Sequence, residues 1–107
     1  IAAGIHLLAE RLEVRLEDVE RVYLAGAFGT YLNPESACRI GLIPGELRGR
    51  LQAVGNAAGE GAKQVVRQRE AMERAQKLAA ETEFLELASL PQFQDAFVDE
   101  LEFPEGL

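Results

Sequence analysis

The residues of this 107-residue chain best placed to do chemistry lie in two glycine turns. Gly26-Ala27-Phe28-Gly29 follows the apolar run Val22-Tyr23-Leu24-Ala25. Gly55-Asn56-Ala57-Ala58-Gly59-Glu60-Gly61-Ala62 follows a second apolar segment, Leu51 to Val54. A strand that runs into glycine and then into a helix bares backbone donors at the helix start. Glycine there lets a phosphate or a base approach without meeting a side chain. The chemistry on offer is anion or nucleotide binding beyond the carboxyl ends of strands. The same glycines also serve plain strand-to-helix geometry, so spacing alone leaves both roles open.

Other chemistries find less support. Neither turn ends in the lysine-serine or lysine-threonine of a Walker loop, and neither spells the dinucleotide fingerprint. A serine nucleophile needs a histidine, but the only one, His6, sits on a helix face far from any Gly-x-Ser-x-Gly elbow. With no second histidine or cysteine nearby, His6 reads as a surface or helix-packing residue. The single cysteine, Cys38, makes no internal disulfide and holds neither a cluster nor a structural zinc alone. It is a small packed side chain or, with Arg39 as its only adjacent base, a thiol near a helix start. Glu60 either favours the positive end of a helix or contacts a ribose or a metal-bound water. No catalytic residue and no metal-ligand set emerges.

The elements that must position the turns follow from periodicity. Ile1, Ile5, Leu8 and Leu12 mark one face of a first helix, expected to end near Glu13. Val22 to Ala25 is continuously apolar, as a strand covered on both faces requires. Asn33 and Pro34 suit the cap and first position of a short helix running to about Ile40, stopped by Gly41 and fenced by Pro44. A long helix is expected from about Asn56 to Ala80, with small residues in its first turn and a half. Phe84 to Ala88 reads as a third strand. Ser89-Leu90-Pro91 then opens a last helix with Phe93, Phe97, Val98 and Leu101 as its buried stripe. The expectation is an α/β fold: three short, largely parallel strands alternating with four helices. So thin a sheet has an edge that continues into strands elsewhere or pairs with a second copy, making a homodimer one expected partner state.

Composition fits a globular domain, 48% hydrophobic and 27% charged, with a net charge of −7. The surplus is uneven. From Leu78 to Leu107 there are eight acids and no base. Such a surface repels phosphate backbones, so nucleic acid is not expected as a partner; it is a solvated face or a docking surface for a basic partner. No stretch is long and apolar enough to span a membrane, and no leader is seen, which makes a cytoplasmic protein the expectation. The first residue is not methionine, and the chain reads as a piece of something longer.

Several motifs in order resemble one family. They are Leu16 to Gly29, Tyr31-Leu32-Asn33-Pro34, Arg39-Ile40-Gly41-Leu42-Ile43-Pro44, Val54 to Ala62, and the ending Leu90 to Gln94 through Phe103-Pro104. The chain is similar, nearly throughout, to the C-terminal domain of ATP-dependent reductive activators of corrinoid proteins. The resemblance implies a ribonuclease H-like, actin-like ATPase lobe of the sugar-kinase, heat-shock-protein and actin superfamily. It implies that residues 1–107 are the C-terminal fragment of that ATPase domain, with an iron–sulfur ferredoxin module and the first lobe elsewhere. It further implies a partner corrinoid protein, returned from Co(II) to Co(I) with ATP and magnesium, and contacts with the rest of the same chain. The iron–sulfur cluster belongs to the other module, so no cofactor is expected on this fragment alone. By the same resemblance Gly26, Ala27, Phe28, Gly29, Gly55, Asn56, Gly59 and Glu60 flank the nucleotide. One departure is Ala25-Gly26-Ala27, where the superfamily has adjacent glycines.

Overall fold

A computed structural model describes residues 1–106. Helix α1 spans Ala2–Arg11, strand β1 Val22–Ala25, α2 Gly26–Tyr31, α3 Pro34–Arg39 and strand β2 Leu51–Gly55. Three helices follow: α4 (Ala57–Arg67), α5 (Arg69–Glu81) and α6 (Phe93–Asp99). Single 3₁₀ turns cover Leu16–Asp18, Gly45–Leu47 and Leu87–Ser89. The fold is α/β as expected. Among the described residues, however, there are two strands and six helices.

The two strands run parallel, with Val22 opposite Leu51, Leu24 opposite Ala53 and Ala25 opposite Gly55 after an irregularity between Leu24 and Ala25. Their connection carries α2 and α3 and supplies the core. Ala37, Cys38, Ile43 and Leu47 are buried there, with Val22, Leu24, Leu32 and Leu51 packed on them. The short helix α3 forms as its sequence dictates. Pro34 occupies its first turn, and the Asn33 side chain accepts from the Ser36 N–H at 2.8 Å.

The sheet is covered on one face only. Tyr23 is 57% exposed, and Ala25, Gln52 and Val54 are exposed beside it. The continuous apolar run of β1 therefore does not mark burial on both faces within this chain.

The helix pattern needs three corrections. Of the expected α1 stripe, Ile5 is half-buried against the core while Ile1, Leu8 and Leu12 are exposed; the buried side is Ala2, Ala3, Gly4 and Leu7. Small side chains let another segment come close: a methyl on Gly4 would sit 3.1 Å from Cδ1 of Leu87. The helix also stops at Arg11, because Glu13 adopts φ 55° and the Val14 N–H turns back to the Ala9 carbonyl at 2.9 Å. The long helix is broken at Gln68, whose extended backbone separates α4 from α5. No proline or glycine marks that break. Finally, α6 begins at Phe93 rather than at Ser89. Of its supposed buried stripe Phe93 is half-buried, while Phe97, Val98 and Leu101 are exposed.

The third strand does not form. Burial alternates over residues 84–88, with Leu85 and Leu87 half-buried and Phe84, Glu86 and Ala88 exposed. Alternation records one covered side. It does not supply a neighbouring strand, and this segment has none to pair with, so it ends in the turn at Leu87–Ser89.

Size measures how open the unit is. Its radius of gyration is 16.2 Å, against about 13 Å for a compact chain of this length. Its accessible surface is 8437 Å², against roughly 5,900 Å² for a compact protein of its mass. No helix is long and apolar enough to cross a membrane among the described residues.

Candidate functional site

Register brings the two glycine turns together. Because the strands are parallel and Ala25 lies opposite Gly55, Gly26 and Asn56 leave the sheet side by side at its carboxyl end. Gly26 has φ +75° and Gly55 has φ +64°. Both values favour glycine, and a Cβ at either would meet nothing within 4 Å. The backbone at both strand ends is thus open on the side where a side chain would stand. Beyond Gly26, Ala27 and Phe28 are exposed, and the Thr30 hydroxyl donates to the Gly26 carbonyl at 3.1 Å.

The second turn is organised by Asn56. Its side-chain oxygen accepts from the Gly59 N–H at 3.0 Å, capping α4. The first turns of α4 carry Ala57, Ala58, Gly61 and Ala62, all exposed. Glu60 stands on the same helix, exposed, with the Lys63 ammonium 3.1 Å from its carboxylate. That pair is a helix-surface contact three residues apart, and with the helix macrodipole it accounts for Glu60 without a ligand.

Two of the glycines are explained by packing. Gly29 is buried, and a methyl on it would run into the backbone of Leu24, 2.5 Å from its carbonyl carbon. Gly29 is what lets α2 lie against β1. At Gly59 a methyl would strike the Asn56 side chain, 2.8 Å from Cγ, so this glycine makes room for the cap. The structure therefore brings Gly26, Ala27, Gly55 and Asn56 together on one open ledge, with Phe28 and Glu60 on the helices behind it. It buries Gly29 beneath that surface and sets Gly59, half-buried, against the Asn56 side chain.

The other reactive side chains stand apart. Cys38 is buried in the core, and burial pushes its thiol pKa up; the nearby Arg48 opposes this and Glu35 adds to it. A thiol held protonated is a poor nucleophile, so Cys38 is a packed side chain. His6 lies on α1 with Nε2 3.2 Å from a Glu100 carboxylate oxygen, joining α1 to the end of α6. Sequence reasoning missed Arg50. Its guanidinium nitrogen lies within hydrogen-bond distance of the carbonyls of Leu16, Glu17 and Val19, tying the turn before β1 to the start of β2. The only sequence signal was a base placed directly before a strand.

Paired parallel strands, each passing through an open glycine into a helix, define an α/β unit of the kind that receives ligands beyond its strand ends. Residues 1–106 match the family described as the C-terminal domain of RACo, the ASKHA domain, and the chain belongs to that family. It is also similar to the corrinoid activation enzyme RamQ of Eubacterium limosum, with 32% identity over 98 residues. Those residues are 92% of this chain but 16% of RamQ, so the chain spans about a sixth of its relative's length.

The residues present fit some of the implied groups and not others. Open backbone at Gly26 and Gly55 fits the close approach of a nucleotide. Among the described residues no group of three or more His, Cys, Asp or Glu side chains is arranged to hold a metal ion. An iron–sulfur cluster needs several thiolates, and Cys38 is alone and buried.

Proposed function

We infer that this chain forms the adenosine side of the nucleotide site in an ATP-dependent reductive activator of a corrinoid protein. The longer protein would pass one electron from its iron–sulfur module to Co(II), giving Co(I), and couple that transfer to ATP. Membership of the ASKHA family and likeness to a corrinoid activation enzyme support this reading. The observation that carries the nucleotide role is the pairing of Ala25 with Gly55, which sets two glycine turns with open space above them next to each other.

In this reading the residues of the chain bind and orient; they do not transfer electrons or cleave phosphate. Gly26 and Ala27 let an α-phosphate and ribose approach the start of α2. Gly55, Asn56 and the small residues opening α4 leave a flat surface for the base, with Glu60 at its rim. The opposite wall of the cleft comes from the rest of the ATPase domain, with the magnesium site and the groups that act on the phosphates. ATP supplies the free energy for an otherwise uphill reduction.

A second reading takes the chain as a non-catalytic interaction or oligomerisation domain whose glycines serve geometry. The packing roles of Gly29 and Gly59 favour it. One variant separates the two. Ala27 is exposed and helical, so Ala27→Leu adds bulk over the ledge without straining the backbone. In the full-length protein it should weaken ATP binding at least tenfold, about 1.4 kcal/mol, with an unchanged melting temperature in the absence of nucleotide. Unchanged ATP affinity would leave the second reading standing.

A further inference from the structure

We draw no further inference here: the strongest candidate, the open groove of about 340 Å³ between α1 and the segment after α5, lined by Leu8, Leu12, Phe84 and Leu85 together with Arg11 and Glu83, is an unpartnered apolar face, and nothing in the structure shows what covers it.

Discussion

The Arg50 guanidinium nitrogen lies 2.7 Å from the carbonyl oxygen of Val19, across 31 residues of chain. The same nitrogen reaches the carbonyls of Leu16 at 3.0 Å and Glu17 at 2.7 Å. These carbonyls belong to and follow the 3₁₀ turn at Leu16–Asp18, where the Leu16 carbonyl also accepts the Val19 N–H at 3.2 Å. One charged donor therefore fixes the entry of β1 relative to β2, and with it the register that aligns the two glycine turns.

Arg50→Met keeps much of the side-chain stem and removes the donor. It should destabilise the protein by about 2–3 kcal/mol, since partly buried carbonyls lose a charged partner. Chemical denaturation of the full-length protein measures this. A loss below about 0.5 kcal/mol would mean that water replaces the guanidinium without cost.

Glu13 predicts the opposite sign. It closes α1 in the left-handed region at φ 55°, a conformation that penalises an L side chain by about 1–2 kcal/mol. Its backbone completes the turn that sends the Val14 N–H to Ala9. Glu13→Gly should stabilise the protein by about 0.5–1 kcal/mol, the strain removed exceeding the extra freedom glycine gives the unfolded chain. A melting curve that shifts downward would contradict this account of the helix end.

Cys38 sets a dependence on pH. Burial raises the folded-state pKa of its thiol above that of the unfolded chain. Below the unfolded pKa both states hold the proton, and the thiol leaves stability unchanged. As pH rises past that value the unfolded state loses its proton first, so stability falls until the folded pKa is passed. Melting temperature should therefore decline as pH rises above the ordinary thiol range, about 8.5. The decline should be shallower in Cys38→Ala, although that variant starts lower because it empties a packed position. Equal slopes for the two proteins would show that the thiol does not titrate differently on unfolding.

Local signals were legible where a few neighbouring residues settle the geometry. Asn33 and Pro34 announce α3, and the glycines after β1 and β2 announce the junctions. What could not be read is what depends on distant partners. The run from Phe84 to Ala88 reads as a strand, but only a neighbouring strand could make it one. The stripe of Ile1, Ile5, Leu8 and Leu12 is regular, yet of it Ile5 alone packs against the core, and Ala2, Ala3 and Gly4 form the buried side because small residues allow close packing. Within the site, Gly26 and Gly29 look alike in sequence. Only the distance to Leu24 separates an open glycine from a packed one.

That difference gives the last prediction. Gly26→Ala strains a left-handed backbone by about 1–2 kcal/mol but meets open space. Gly29→Ala has an ordinary helical backbone, yet drives a methyl into Leu24 where α2 crosses β1, a steric cost of about 3 kcal/mol. Gly29→Ala should thus lower the melting temperature more, although glycine looks equally replaceable at both positions. Their effects on ATP should reverse. At temperatures where both proteins are folded, Gly26→Ala changes the surface that the nucleotide is proposed to touch, while Gly29→Ala acts from beneath it. Paired thermal melts and ATP titrations on the full-length protein measure both orders. If Gly29→Ala cost the greater loss of ATP affinity while remaining folded, Gly29 rather than Gly26 would belong to the binding surface.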